Sequence, residues 1–358
     1  MEFGIAVATA ADSWKVVKRA EELGFSHAWF YDTQMLCADC FVAMGAAAIQ
    51  TSRIRLGTGV LIPSNRIAPV TANAFASLNQ LAPGRIDFGV GTGFTGRRTM
   101  GLGAMKLADM EEYIRVVMAL LRGETVDFTV EGQQKKIAFL NPELRLINLA
   151  DPVALHVSAY GPRAQALTAK LGAGWVNFVG DVAGGNKVLE SMRESWRKAG
   201  RGDQKLSAVA FALGCVLRPG EVADSDRAMA QAGPRAAVLL HRAADEALSG
   251  LPNTSAIPPS VAEPVAKYVE LAQRFDNPEA RYLSNHRGHL MAVRDNERPF
   301  VTAEMIRQTT FTAPEAEIVG RVRALRDAGY TQFTVQLTPG QEAAVEDWAR
   351  IKAAVMAP

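Results

Sequence analysis

The chain has 358 residues, 48% hydrophobic and 21% charged, with a formal net charge of +2. That composition can bury a sizeable core and excludes a disordered protein. Both signs of charge are interspersed without a basic run, which argues against nucleic acid or an anionic membrane as partner.

In chain order, "FGIAVAT" (3–9) reads as a first strand and begins too early to leave room for a signal peptide. "DSWKVVKRAEELGF" follows as a helix, capped by Asp12 or Ser13, with Trp14, Val17, Ala20 and Leu23 on one face and Gly24 ending it. "HAWFYD" (27–32) is the second strand and "VAMGAAAIQ" a small-residue helix. Between them Cys37 and Cys40 form a C-x-x-C, which alone could be a redox pair or half a zinc site; with no second such pair and Cys215 the remaining cysteine, a structural or incidental role is expected of them. "IRLGTGVL" (54–61) is the third strand, "PVTANAFASLNQL" its helix, "GRIDFGVGTG" the fourth strand and "LADMEEYIRVVMALLRGE" the helix after it.

A loop-rich stretch with room for a small hairpin covers 124–150. The rhythm then resumes with "PVALHVSAY", "PRAQALTAKLG", "GWVNFV", "NKVLESMRESWRKAG" and a seventh strand at 207–217. Residues 219–310 break it with helical stretches, a proline-rich junction at 251–260 and the polar "SNHRGHLMAVRDNERP". "TAPEAEIVGRVRALRDAGYTQFTVQL" and "GQEAAVEDWARIKAAVM" supply a capped helix, an eighth strand and a closing helix. Strands that are apolar throughout and separated by helices predict parallel pairing buried on both faces. The expected fold is therefore α/β: one (β/α)8 TIM barrel over 1–358, with 219–310 inserted after strand seven as a lid over the mouth. A doubly wound sheet with a helical domain is the alternative; the absence of a composition break near the middle favours the barrel. No apolar run approaches ~20 residues, so no membrane span is expected, and the cysteine usage suits the cytoplasm.

In such a barrel the C-terminal strand ends form the active-site mouth. They carry Asp32, Thr33 and Gln34; Gly59 and Val60; Gly91, Thr92, Gly93 and Phe94; Ser158, Tyr160 and Gly161; Asn177; and Gln336. Glycines 89, 91 and 93 are spaced G-x-G-x-G, not as the dinucleotide fingerprint G-x-G-x-x-G, and let backbone approach a ligand while Arg97 and Arg98 offer charge to an anion. Ser158, Tyr160 and Gly161 precede a helix opened by Pro162, with Arg163 in its first turn, a second place for a phosphate. Tight turns and solvated arginines are the plain alternative for each loop. Together the two loops point to a phosphorylated cofactor laid across the mouth.

The ordered set "VVKRAEELGFSHAWFYD", "TSRIRLGTGVLIPSNRIAPVTANAFASLNQLAPGRIDFGVGTG", "MEEYIRVVMALLRGE" and "TAPEAEIVGRVRALRDAGYTQFTVQL" resembles the bacterial luciferase-like superfamily, from Phe3 to the final helix. That resemblance implies a (β/α)8 barrel with a variable late insertion, and flavin-dependent monooxygenase or deazaflavin (F420)-dependent oxidoreductase chemistry. It also implies a non-proline cis peptide at Gly59-Val60 or Val60-Leu61 beside the cofactor ring, Gly91 to Phe94 along the cofactor, and Ser158 to Ala164 at its phosphate. Asp32 falls where many members carry an acid, often followed by histidine. Here Thr33 and Gln34 follow, which puts histidine-based proton chemistry there in doubt.

The first functional expectation is a monooxygenase using reduced FMN and O2 on a small organic substrate, aromatic and heterocyclic compounds included. A separate flavin reductase is then inferred as partner, because no nicotinamide fingerprint is present. The alternatives are F420-dependent hydride transfer and a non-catalytic binding barrel; the resemblance makes a homodimer the default. Cofactor contacts are expected from Gly59, Val60, Gly91, Thr92, Gly93, Arg97, Arg98, Ser158, Tyr160, Gly161 and Arg163. Asp32, His286 and His289 are the candidate catalytic side chains, the histidines if their loop folds over the mouth and not if it is solvated. His286-x-x-His289 has no third ligand placed for a metal, and none is expected. Phe94, Tyr160, Trp175 and Phe178 are candidate aromatic walls.

Overall fold

A computed structural model describes residues 1–251 and 257–357; the junction expected at 251–260 lies partly outside them. Eight strands form the barrel: β1 (Glu2–Val7), β2 (His27–Phe30), β3 (Arg55–Thr58), β4 (Ile86–Val90), β5 (Ala154–Ser158), β6 (Gly174–Phe178), β7 (Ala208–Ala212) and β8 (Gln332–Leu337). Each pairs in parallel with its neighbours in sequence, and β1 pairs with β8 from Glu2↔Gln332 to Val7↔Leu337, so the sheet closes. Closure leaves no edge to satisfy, and the strands are buried on both faces, as their continuous apolar character requires.

Inside the ring, Ala6, Trp29, Tyr31, Val176, Val209 and Phe211 pack against one another. Outside it, the larger core joins the strands to α1 (Trp14–Glu22), α2 (Cys40–Gln50), α3 (Ala68–Leu81), α4 (Leu107–Leu121), α5 (Pro162–Leu171) and α6 (Val182–Lys198). Asp39 caps α2 by accepting from the Phe41 and Val42 amides, and Asp181 caps α6 through Gly184 N. The stretch 124–150 does hold a hairpin: Val126–Val130 pairs antiparallel with Gln133–Ile137, turning at Glu131 and Gly132, both at positive φ.

The seventh strand is shorter than the run 207–217 predicts. It ends at Ala212 because the chain must leave the barrel there. Val216–Leu217 instead pairs in parallel with Ala313–Pro314, where the chain returns. The two passages lie so close that a Cβ on Gly214 would meet Phe311 O at 2.3 Å. Between them run α7 (Asp226–Ser249) and α8 (Ala262–Ala272), around a smaller apolar core of their own. After them α9 (Glu315–Ala328) and α10 (Val345–Met356) complete the outer layer. Pro234 lies inside α7 and has no N–H for the Ala230 carbonyl one turn back. Thr338, just past β8, donates its hydroxyl to that carbonyl at 2.9 Å and ties the helix to the barrel.

Candidate active site

The loops after β2, β3 and β4 are locked together at the C-terminal end of the barrel. Asp32 is buried and accepts from Ile62 N (3.0 Å), Asn65 Nδ2 (3.2 Å) and Arg66 Nη1 (2.9 Å). Its carboxylate therefore holds the loop that follows β3. Gln34 extends the lock by accepting from Asn65 Nδ2 at 2.8 Å and donating to Gly96 O at 2.9 Å. The peptide Gly59–Val60 is cis, the first of the two positions that the resemblance marks.

Glycine is required where these backbones meet. A Cβ on Gly91 would stand 2.9 Å from Val60 Cγ2 and 3.4 Å from Ser158 Cβ, so three loops converge on that residue. Gly93, at φ +77°, opens the one-turn helix Phe94–Arg98. Thr92 accepts from Met105 N through its carbonyl at 2.9 Å. After the neighbouring strand β5, Gly161 caps α5 and nothing lies within 4 Å of where its Cβ would be. That open cradle at a helix N-terminus, next to the partly exposed Ser158, fits a phosphate. Arg163 is exposed beside it.

The arginines after β4 are placed differently from the sequence expectation. Arg98 is buried and forms an ion pair with Asp245 of the insertion, its guanidinium carbon 3.8 Å from the Phe94 ring centre. A guanidinium removed from water needs a counter-charge, and a residue 147 positions away supplies it. Arg97 donates through Nε to Gly103 O at 2.6 Å and braces its own loop.

His286 and His289 are likewise not in a solvated loop. Both are buried, because 219–310 packs down onto the mouth. His286 Nε2 lies 2.8 Å from Asp245 Oδ1, which also accepts from Asn285 at 2.9 Å. His289 Nδ1 lies 2.7 Å from His241 Nδ1, and His241 Nε2 lies 2.7 Å from Glu297 Oε1. Burial, then the nearby histidines and arginines, pushes His289 well below the usual imidazole range, and burial lowers His286 too. Burial opposes ionisation of Glu297, but the bonds from His241 and Arg294 outweigh it and hold the carboxyl at about 2. A buried Glu–His–His chain thus leads to the mouth.

The insertion touches the loops after β2, β4, β6 and β8. Cys37 meets Met291, Tyr282 packs on Gly101, Arg235 lies over Phe178, and Gln336 Nε2 donates to Leu290 O at 2.6 Å. Tyr31 donates its phenol hydrogen to the same Gln336 at 2.7 Å. Of the expected aromatic walls, Phe94, Tyr160 and Phe178 gather here. Trp175 instead donates to Ala159 O and stacks on Tyr330 within the core. Burial pushes the Cys37 thiol up to about 11 and raises that of Cys40 as well, so neither is a thiolate at neutral pH.

Arg235 and Arg242 carried no mark in the sequence reading. Their signal is a pair of arginines seven residues apart, two turns of one helix, in the otherwise apolar "PRAAVLLHRAA". An open cleft of about 930 Å³ lies at the other end of the barrel among His27, Arg55, Asp87 and His156. There Arg55 grips Asp87 through two nitrogens, at 2.6 and 3.0 Å. That is the end of a barrel where side chains serve stability.

The site thus sits on a parallel barrel with glycine-lined strand ends, an open helix N-terminus at the mouth and a helical cover. The chain belongs to the family described as luciferase-like monooxygenase, whose pattern it matches over residues 4–332. It is 38% identical over 141 residues to an F420-dependent glucose-6-phosphate dehydrogenase of Beutenbergia cavernae, a match spanning 37% of this chain and 40% of that one. A 5,10-methylenetetrahydromethanopterin reductase of Archaeoglobus fulgidus is 25% identical over 93% of this chain and 92% of its own. In fold, the F420-dependent tetrahydromethanopterin reductase of Methanopyrus kandleri superposes with a TM-score of 0.71 at 19% identity, covering 98% of this chain and 97% of that one. The fold also houses 3,6-diketocamphane monooxygenase of Pseudomonas putida, solved with FMN (TM-score 0.62, 12% identity, 99% and 96% covered). Relatives thus use either F420 or FMN. No helix among the described residues is long and apolar enough to cross a membrane.

Proposed function

We propose that the chain is an F420-dependent oxidoreductase acting on a small organic molecule, in place of the FMN monooxygenase expected first. The observation that carries this reading is the ion pair of Arg98 with Asp245, together with Arg97 bracing Gly103. The charge of Arg98, which would suit the terminal phosphate dianion of FMN, is neutralised inside the protein, and Arg97 is turned to its own loop. What remains at Ser158–Gly161 is a helix N-terminus with exposed Arg163 beside it, which suits a singly charged phosphodiester. The F420-dependent enzymes among the relatives support the same reading.

When bound, the deazaflavin supplies a two-electron hydride carrier. The protein contributes position: Val60, Gly91 and Ser158 bound the ring's place, and Gly161 with the amides of α5 holds the phosphate. Asp32 fixes the Ile62–Arg66 loop that supports this arrangement. Residues 219–310, part of the same single domain, act as the lid that keeps water from the mouth. His289, backed by His241 and Glu297, is the group placed to hold or release the proton that accompanies hydride transfer. Exposed Val42 and Ile49 on α2 and Val70 and Leu81 on α3 offer an apolar face for a homodimer.

The test is anaerobic titration of the purified chain with F420 and, separately, with reduced FMN, followed by admission of O2. Preferential F420 binding without oxygen consumption is expected. Tighter binding of reduced FMN with substrate-dependent O2 uptake would return the protein to the monooxygenase reading and call for a flavin reductase as partner.

A further inference from the structure

We infer that Glu297 and His241 fix the tautomer of His289 so that its Nε2 turns a lone pair to the mouth, and that the site takes a substrate whose hydroxyl donates to that nitrogen. The substrate class rests on the F420 reading of the same site; the order of protons does not. His289 lies in the turn His286–Met291, closed by His289 N to His286 O at 3.1 Å and Met291 N to Gly288 O at 2.9 Å. Gly288 and Leu290 take positive φ, +76° and +61°, and turn the chain sharply on either side of His289. The Leu290 carbonyl is held by Gln336 of β8, which also accepts from Tyr31 inside the ring. Met291 meets Cys37 after β2, so the turn stands over the barrel interior.

The order of protons follows from the partners. Burial opposes ionisation of Glu297, yet the bonds from His241 and Arg294 keep it a carboxylate, which only accepts. His241 therefore donates to it through Nε2, 2.7 Å away. Above about pH 7 an ordinary imidazole is neutral and carries one N–H. Nδ1 of His241 is then the acceptor, and Nδ1 of His289, 2.7 Å from it, is the donor. The one hydrogen of His289 is used in that bond, so the lone pair falls on Nε2. Among the described residues Nε2 has no hydrogen-bond partner, and it is not sealed from solvent as Nδ1 of His286 is. His286 donates through Nε2 to Asp245, which leaves its own lone pair on that sealed nitrogen. Of the two histidines, His289 is the one that offers a lone pair to a ligand.

A lone pair selects a donor. A hydroxyl fits, because its hydrogen points to Nε2 while its carbon stays free to give up hydride. A carbonyl or imine awaiting reduction would need an N–H at that point, which this order of protons withholds. In the forward step the carbinol C–H bond breaks and its electron pair leaves with the hydrogen to the oxidised deazaflavin, and the O–H pair becomes the second bond of the C=O. The hydroxyl proton goes to His289 Nε2, and the Nδ1 hydrogen passes to His241. Burial, and after it His241, His286, Arg242 and Arg235, weigh against a charge on the His289 ring. Passing the proton on places that charge against the Glu297 carboxylate instead. His289 is the catalytic group, and His241 and Glu297 are positioning residues.

The test is nitrogen NMR of the full chain labelled in its five histidines, at about pH 8, where two-bond nitrogen–proton correlations tell the tautomers apart. Wild type should show a bare Nε2 and a protonated Nδ1 on His289, and the reverse on His241. His241→Phe should return His289 to the Nε2–H tautomer that a free side chain favours, with His27 and His156 at the far end of the barrel unchanged. A merely structural His241 would leave the His289 tautomer as it was. Added 2-propanol should shift the His289 Nε2 signal, and acetone, of the same size without the hydrogen, should not. Nε2–H or an imidazolium at His289 in wild type overturns the tautomer, and it does so whether or not the variant folds. An Nε2 signal unmoved by 2-propanol overturns the substrate class. If F420 alone moves Nε2 as 2-propanol does, the lone pair serves the cofactor and the substrate assignment falls. If F420 fails to bind wild type, the functional reading falls with its hydride step, while the spectra still decide the order of protons.

Discussion

Replacing Asp32 separates a positioning role from a proton-carrying one. Its two oxygens take three donors, and its side chain is 4% exposed against 17% for Arg66. Removing one partner of a buried pair costs about 3–5 kcal/mol. Arg66 keeps Asp39, so Asp32→Ala belongs at the lower end, about 3 kcal/mol. Unfolding entropy of about 2.1 cal/mol/K per residue, over 358 residues, gives roughly 0.75 kcal/mol/K. The expected loss in Tm is therefore about 4 °C for Asp32→Ala. Asp32→Asn keeps one acceptor oxygen but loses the charge, and should fall by about half as much. Both would weaken F420 binding, because Ile62–Arg66 loses its anchor, while Asn changes turnover only modestly. Calorimetric melting, cofactor titration and turnover under saturating cofactor are the measurements. If Asp32→Asn melts as wild type does while turnover collapses by about 10²–10⁴-fold, Asp32 is a general acid or base and the positioning argument is wrong.

Two glycine substitutions should split stability from binding. Gly161→Ala meets no atom within 4 Å, so its Tm should hold or rise slightly, while F420 affinity falls about tenfold as the cradle fills. Gly89→Ala would set a Cβ 2.0 Å from Thr58 O, a backbone atom, and should cost about 4 kcal/mol or more, read as loss of soluble folded protein. Acid should destabilise the chain in two stages. His27 is pushed down to about 4 by burial, and His156, His286 and His289 are lowered by the same cause. The stability of these neutral imidazoles is complete above about 6.5 and is lost as pH falls through their folded values, so His27→Gln should flatten urea-midpoint profiles between 6.5 and 4. Glu297 acts lower: its share, about 3 kcal/mol, is complete above about 4.5 and disappears toward 2. Glu297→Gln should forfeit that share at neutral pH and show no loss across the lower window.

The barrel was legible because its signal is local. Apolar runs such as Ile86–Val90 alternate with amphipathic helices, and each pairs with its sequence neighbour. Short-range cues held at Gly24, which takes positive φ at the end of α1, and at the Glu131–Gly132 turn. They failed where a residue had two choices: Ser13 accepts from Ala10 N and does not cap α1 through its side chain. The backbone half of the mouth, Gly59 to Gly93, was readable because close approach demands glycine at fixed places. The charged half was not. Arg98 finds Asp245 across 147 residues, and His241 finds Glu297 across 56, pairings that no spacing rule encodes.

Those long-range pairs also account for how the insertion settles on the barrel. Its apolar core is self-contained and would not by itself fix an orientation over the mouth. Orientation comes from polar contacts with narrow geometry: Thr338 to Ala230, Gln336 to Leu290, and Arg98 to Asp245. Buried polar contacts add little net stability when satisfied but are costly when broken, so they penalise every other docking of the same helices. The same α7 that is fastened this way sets Arg235 against Phe178 and Arg242 against Phe94. Fastening the helix and setting its side chains against the mouth are therefore one arrangement, and loosening Thr338 or Asp245 should weaken cofactor binding before it unfolds the barrel.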